Sequence, residues 1–334
     1  MLFGNYVHHE EFPLTMKQKL FNLSKLLISG ALIYFLLKVL DVKRIWLTLQ
    51  NVNIGYTALA FLCSGFVLPI LAFRWKRVLK ASEIHVPVTR VLRINLIGIC
   101  SSNFFPGLFG GDLIRPLYLI QDYQNKKIPL YASVFFERIC GFMGILLLGL
   151  ISGSWLAFMI KERYYILITG VICAGLILTF FFFNWIDISK ISLPRFLKRF
   201  QSFVHRFYSS FILYAKDGRL LAETVGWSLL SQIISILMYW ILLAGTGSVV
   251  NPMMVIIAVS LAWLVALIPV SLNGLGLREG SMVYLLTRFG VAPDRAGIAV
   301  LLGLLPTVFF SIIGAAMLTS GINLKKIMKE VKYQ

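Results

Sequence analysis

Charged side chains that could bind a polar ligand lie inside two of the most apolar stretches of this sequence. The first stretch, FFPGLFGGDLIRPLYL, carries Asp112 and Arg115, and the second, IPVSLNGLGLREGSMVYLL, carries Arg278 and Glu279. A guanidinium group presents a planar fork of donors that suits phosphate or carboxylate. These residues therefore predict a binding site for a charged group at membrane depth.

The two stretches share one spacing, P-x3-[GN]-G-x3-R, which begins at Pro106 in the first and at Pro269 in the second. Proline and glycine interrupt a helix and leave backbone N–H groups available, and the start of the next helix adds the positive end of its dipole. Corresponding interrupted segments in two halves of a chain are the best sequence indication of a binding site in repeat-built transporters. The residues predicted to break or hinge these helices are Pro106, Gly110, Gly111, Pro269, Gly274 and Gly276.

A third charged pair, Glu137-Arg138 in FFERICG, completes a set of three acids and three arginines in apolar surroundings. Ionisable residues inside a membrane usually face a cavity and mark a substrate path. A purely structural interpretation stays open, because Asp112 could cap a helix and pair with Arg115, and Glu137 and Arg138 could join neighbouring helices. Two asparagines could either donate to a ligand or cap a broken helix. The predicted binding residues are Asn103, Asp112, Arg115, Glu137, Arg138, Asn273, Arg278 and Glu279.

Membrane-spanning helices must position these residues. The chain has 334 residues, of which 58% are hydrophobic and only 14% charged, and its mean hydropathy is +0.83. This composition excludes an ordinary soluble domain, and a bilayer core needs about 20 apolar residues for each crossing. The predicted spans are residues 20–40, 54–73, 139–160, 164–184, 223–244, 252–270 and 296–320. Shorter apolar pieces are predicted to be broken or re-entrant, namely 91–105, 113–120, 128–136 and 282–289.

The predicted fold class is an all-α polytopic integral membrane protein, a helical bundle with broken or re-entrant helices and an internal two-fold repeat. Residues 1–334 form one membrane domain in this interpretation. Its parts are a first half at about 20–184 with the motif region 103–138, a cytoplasmic amphipathic connection at about 187–219, and a second half at about 223–320 with the motif region 269–280.

A stripe of phenylalanines at helical spacing marks the connection. Together with the neighbouring arginines it is typical of a helix lying in the membrane interface, and the alternative is a helix packed on the bundle. The stripe consists of Phe196, Phe200, Phe203, Phe207 and Phe211.

The net charge of +18 lies mainly between the apolar runs, as in RWKRVLK at residues 74–80. Such charge orients spans and attracts anionic lipid, so we expect no nucleic acid partner. The positive-inside rule places both termini and the long connection in the cytoplasm of a multi-pass protein of the cell membrane. Neither the histidines nor the cysteines show a ligand spacing, and we expect no metal and no cofactor.

Three sequence blocks resemble, in the same order, the signature blocks of the flippase-like transmembrane region of lysylphosphatidylglycerol synthases. These blocks are SSNFFPGLFGGDLIRPLYL, ASVFFERICG and PVSLNGLGLREG. This family also contains free-standing bacterial and archaeal proteins, and the resemblance covers nearly the whole chain. It implies that the protein moves a lipid between leaflets and binds its head group at the residues named above. The partners implied are membrane lipids: an anionic or aminoacylated phospholipid, or a polyprenyl-linked sugar.

The two-domain synthases attach lysine to phosphatidylglycerol with a soluble C-terminal domain. This chain ends at Gln334, soon after its last span, so we expect no aminoacyl transfer and no enzyme. Two other functions stay open: a membrane-embedded transferase or hydrolase acting on a lipid phosphate, and a non-catalytic assembly factor. A homo-oligomer also stays open.

Overall fold

The computed structural model describes residues 50, 52–104, 110–160, 166–167, 169–175, 177, 198–268 and 270–321. The predicted span at 20–40, part of the one at 164–184, and both chain ends lie outside these residues.

Ten α-helices have both ends within the described residues, which contain no strand. The helices are α1 (Ile54–Ala81), α2 (Val88–Phe104), α3 (Gly110–Ile120), α4 (Lys127–Ile160), α5 (Lys198–Lys216), α6 (Gly218–Gly245), α7 (Pro252–Val265), α8 (Leu277–Arg288), α9 (Pro293–Leu302) and α10 (Leu305–Gly321). Single 3-10 turns occur at Gln124–Lys126 and Leu272–Gly274.

Four helical segments of the described chain are long and apolar enough to cross a membrane. They are Ile54–Ala81, Gln124–Met159, Gly218–Gly245 and Pro293–Met317, the last of which joins α9 and α10. Each contains or overlaps a predicted span, so the prediction of an all-helical, multi-pass membrane protein is confirmed. The predicted span at 252–270 is shorter than expected, since α7 ends at Val265 after 14 residues.

One predicted boundary is wrong. Residues 128–136 were expected to form a separate broken piece, whereas they are the beginning of α4, a continuous helix of 34 residues. Pro129 lies in the first turn of α4, where its missing N–H costs no helical hydrogen bond. Glu137 and Arg138 do not interrupt the helix, since both are good helix formers, and each is ion-paired with another helix. At about 50 Å, α4 is longer than the bilayer core.

The outside of the bundle is strongly apolar. Phe66 on α1 is 65% exposed, Phe158 on α4 is 74% exposed and Ile312 on α10 is 64% exposed. Large apolar side chains in these positions mark a membrane-facing surface. The buried core lies between the helices, and its largest cluster is formed by α6, α7, α8 and α9.

Close backbone contacts fix α10 against α2. A Cβ atom added at Gly314 would lie 2.2 Å from the carbonyl oxygen of Leu96 and 2.9 Å from Cβ of Cys100. Small residues allow this approach in membrane helices, where van der Waals packing drives association. Helix α10 therefore holds α2, which lines the site described below.

The connecting helix α5 packs on the bundle over its described C-terminal half. The rings of Phe207 and Phe211 make edge contacts with Phe135 of α4, with ring centroids 5.7 Å apart in both pairs. Tyr214 is fully buried, its hydroxyl donates to the carbonyl of Pro129 at 3.1 Å, and burial raises its pKa to about 12. This part of the phenylalanine stripe matches the packed-helix alternative. The side chains of Phe196, Phe200 and Phe203 lie outside the described residues.

Candidate functional site

The start of α3 packs directly on the backbone of α2. A Cβ atom at Gly111 would lie 2.0 Å from the carbonyl oxygen of Gly98 and 2.1 Å from Oγ of Ser102. Only glycine leaves room for so close a contact. Because Asp112 and Arg115 follow within the next turn, this contact determines where both charged groups lie.

Glu137 of α4 is the centre of a charged network. Its side chain is 1% exposed and accepts from Nε of Arg74 and Nη2 of Arg115, each at 2.9 Å. Arg74 also donates through Nη1 to Oγ of Ser228 on α6, at 3.0 Å. One carboxylate therefore connects α1, α3 and α4, and one of its arginines extends the network to α6.

Asp112 is the second carboxylate of the network. Its carboxylate pairs with Arg115 at 3.4 Å and with Nε of Arg138. The structure thus brings together four of the predicted residues: Asp112, Arg115, Glu137 and Arg138. It also adds Arg74, which was expected to be part of the loop charge at residues 74–80.

A tryptophan ring supports Arg115 from one side. The guanidinium carbon lies 4.1 Å from the centroid of the Trp75 ring, which is the range of a cation–π contact. Trp75 is fully buried, and its indole N–H donates to Oγ of Ser133 at 3.1 Å. The orientation of Arg115 therefore depends on α1 and α4 as well as on α3.

The second motif forms a separate, compact ion pair. Arg278 donates to Oε1 of Glu279 through Nε at 2.8 Å and Nη2 at 2.6 Å, and Oε2 of Glu279 accepts from the N–H of Gly276 at 2.7 Å. The Arg278 guanidinium lies 4.8 Å from the centroid of the Trp263 ring. Both motif arginines are therefore placed over a tryptophan, which the shared spacing alone does not reveal.

The chain between α7 and α8 is broken by left-handed backbone. Asn273 has a φ of 48°, Gly274 of 74° and Gly276 of 81°. A Cβ atom at Gly274 would also lie 2.7 Å from Cβ of Ala266, so the turn is tightly packed. Before α3, Gly110 is the first helical residue. Pro106 and Pro269 lie outside the described residues, as does the side chain of Asn103.

A cavity of about 280 Å³ lies among α1, α2, α3, α4, α6 and α7. The charged residues in its described lining are Arg74, Asp112, Arg115, Glu137 and Arg138. Uncharged polar residues there are Asn95, Ser102, Ser231, Gln232 and Ser235. Three arginines and two carboxylates give this lining a net charge of about +1.

Arg278 and Glu279 are not part of the described lining. They lie behind Trp263, which is a lining residue and contacts Arg278. The second motif thus touches a residue of the cavity lining through Arg278, and the binding role predicted for this motif stays a prediction. Among the residues that the structure describes, no group of three His, Cys, Asp or Glu side chains could hold a metal ion.

Apolar membrane-length helices around a charged cavity define a multi-pass membrane protein with an internal polar site. Residues 22–314 match the family model described as the lysylphosphatidylglycerol synthase TM region, and the chain belongs to this family. The family predicted from the three sequence blocks is therefore confirmed.

Two archaeal proteins are similar over most of the chain. A protein of Methanothermobacter thermautotrophicus (strain Delta H), named UPF0104 membrane protein, is 21% identical over 272 residues, which cover 75% of this chain and 80% of that protein. A second protein of the same name and organism is 21% identical over 272 residues, which cover 74% of this chain and 77% of that protein.

Proposed function

We propose that this protein is a lipid translocator that carries a polar head group between leaflets through the cavity. The observation that carries the proposal is the network of Arg74, Asp112, Arg115, Glu137 and Arg138, which lines a cavity inside a bundle with an apolar outer surface. A charge at bilayer depth costs about 2.5–3.5 kcal/mol on insertion scales. Several such charges around one cavity favour a passage for a charged group.

The pairing in the network suits a site that is alternately empty and occupied. Each of the two cavity carboxylates is engaged by two arginines. A lipid phosphate can replace a carboxylate oxygen as acceptor, because guanidinium groups bind both in the same planar geometry. The head group then crosses within the cavity while the acyl chains stay in the bilayer.

The proposal is transport without a covalent step. It takes membrane lipids as partners: an anionic or aminoacylated phospholipid, or a polyprenyl-linked sugar. Both cavity carboxylates, Asp112 and Glu137, are engaged by arginines, which favours a role in charge balance over one in acid–base chemistry.

We also propose that the two broken regions belong to an internal two-fold repeat with re-entrant turns. In each half an arginine near the start of a short helix lies over a tryptophan, Arg115 over Trp75 and Arg278 over Trp263. The basic residues between the spans favour a topology with both termini and α5 in the cytoplasm. In this proposal residues 1–334 form a single membrane domain.

Replacement of Arg115 by alanine is expected to reduce lipid exchange at least about tenfold, since tenfold corresponds to 1.4 kcal/mol of lost interaction with the head group. The protein should still fold, because Glu137 keeps Arg74 and Asp112 keeps Arg138. The measurement uses proteoliposomes with chain-labelled fluorescent phosphatidylglycerol, its lysylated form and a polyprenyl-phosphate sugar, and a membrane-impermeant reductant that quenches the outer leaflet.

Arg219→Ala is the matched control. Arg219 is also a helical arginine paired with a glutamate, but its side chain is 84% exposed and outside the cavity. Its replacement should leave exchange unchanged. If folded wild-type protein moves none of the three lipids faster than protein-free vesicles do, the proposed function is wrong.

A further inference from the structure

We propose that Asn95 binds a hydroxyl group of the transported head group. The cavity then selects a phosphate ester that carries head-group hydroxyls and one negative charge, and disfavours a cationic aminoacylated head group. This inference rests on the proposed function and specifies its substrate class.

Asn95 is a buried amide without a structural task. It lies on α2, lines the cavity and is 6% exposed, and neither Nδ2 nor Oδ1 has a hydrogen-bond partner within the described part of the chain. Buried polar groups in native proteins are almost always hydrogen-bonded. Because Asn95 lines a cavity and its amide has no partner among the described residues, the amide can bond a ligand that enters the cavity.

Other polar residues of α2 behave differently. Ser101 donates to the carbonyl of Ile97 at 2.8 Å, and Ser102 donates to the carbonyl of Gly98 at 2.9 Å. Both serines therefore satisfy their hydroxyls on their own helix. Asn95 lies inside α2, well after its first turn, and so does not cap the helix.

The chemistry of the amide matches a hydroxyl group. An asparagine side chain offers two N–H donors and a carbonyl acceptor, and a hydroxyl both donates and accepts. Asn95, Gly98 and Ser102 recur at the helical spacing of one face, and all three are in the cavity lining. Arg115, which lies over the same cavity, also has a buried Nε without a partner among the described residues. One ligand with a phosphate beside a hydroxyl can satisfy both residues.

The charge of the lining supports an anionic ligand. Its described charged residues are three arginines and two carboxylates. A phosphodiester with one negative charge neutralises the remaining positive charge. A lysyl ester of the same lipid would add positive charge to a positive cavity, which is unfavourable at low dielectric.

The test compares two fluorescent lipids that differ only in their hydroxyls. Phosphatidylglycerol and phosphatidylpropanol have the same phosphodiester charge and three head-group carbons, but only the first has hydroxyls. We expect wild-type proteoliposomes to exchange phosphatidylglycerol about tenfold faster, as for one well-placed hydrogen bond, and faster than lysylphosphatidylglycerol. A polyprenyl-phosphate sugar, which also combines phosphate and hydroxyls, shows in a separate arm which of the two lipid sources is preferred.

Asn95→Leu should bring the ratio of the two exchange rates close to one without lowering the melting temperature, because it removes buried polar atoms that have no partner among the described residues. Tyr118→Phe is the matched control. Tyr118 is 5% exposed, its hydroxyl also has no partner among the described residues, and it is not a residue of the described lining. This variant should keep the wild-type ratio.

The outcomes separate the two proposals. If the wild-type protein exchanges both phospholipids at equal rates, the proposed role of Asn95 is wrong, but the proposed lipid translocation is not. This comparison needs no variant. An unchanged ratio in Asn95→Leu, or faster exchange of the lysylated lipid, would lead to the same conclusion. Exchange of none of these lipids would remove the proposed function and this inference together.

Discussion

Glu137→Gln is expected to lower the free energy of unfolding by about 3–5 kcal/mol, the usual cost of breaking a buried ion pair from one side. The glutamate is 1% exposed and holds Arg74 and Arg115 at 2.9 Å each. Glutamine keeps the size and shape of the side chain but leaves both arginines without their shared counter-charge. The measurement is thermal unfolding of the purified protein in detergent, followed by intrinsic fluorescence.

Glu223→Gln is the control for this change. Glu223 also accepts from two arginines, Arg77 at 2.5 Å and Arg219 at 2.9 Å, but its side chain is 31% exposed. Exposed pairs contribute little to stability because water and salt screen them. The melting temperature should therefore fall clearly for Glu137→Gln and hardly at all for Glu223→Gln. Equal shifts would show that burial of the network does not govern its contribution.

Gly111→Ala should also lower the free energy of unfolding strongly, through steric overlap and not through loss of a charge. The added Cβ would lie 2.0 Å from the carbonyl oxygen of Gly98, a backbone atom that cannot move aside by rotating a side chain. Overpacking typically costs 1–3 kcal/mol, and we expect a cost of about 3 kcal/mol or more here. The first turn of α3 must separate from α2, which displaces Asp112 and Arg115 from their partners on α4. Both the melting temperature and lipid exchange should fall.

Gly65→Ala provides the matched change at an open position. Gly65 lies inside α1, and a Cβ atom there would have nothing within 4 Å. Alanine favours a helix over glycine by about 0.5–1 kcal/mol, so the melting temperature should stay the same or rise slightly. Retention of full stability and full exchange by Gly111→Ala would contradict the close contact of α2 and α3.

Part of the site could be predicted because a charged side chain in apolar surroundings is stable only when it is paired. Asp112, Arg115, Glu137 and Arg138 stand out in their segments, and the cost of isolated charges at this depth requires that they find partners. The family followed from the same residues. Their actual pairing, across α3 and α4, needed the structure.

Arg74 could not be assigned to the site from sequence. The apolar run ends at Phe73, and the following RWKRVLK is indistinguishable from ordinary loop charge that sets topology. In the structure α1 continues to Ala81, so Arg74 lies within the helix and reaches Glu137. Trp75 was missed for the same reason, because its ring serves Arg115 only once α1, α3 and α4 are packed.

Neutral polar residues of the site are even harder to recognise from the sequence. Asn95 is one asparagine in a mixed segment, and only its burial and its place in the cavity lining distinguish it. The shared spacing of the two motifs predicted that Arg278 would line the other half of the binding site that contains Arg115. Arg278 pairs with the adjacent Glu279 and contacts Trp263, and its role in binding stays a prediction.

The position of a lipid phosphate in the protein shows whether a head group enters the cavity. The purified protein can be imaged by cryo-electron microscopy in nanodiscs of phosphatidylglycerol. A bound antibody fragment would increase the size of the particle. We expect phosphate density in the cavity within hydrogen-bond distance of Arg115, and none there in the Arg115→Ala protein. A cavity that holds only water in both, with lipid confined to the apolar outer surface, would contradict the proposed function.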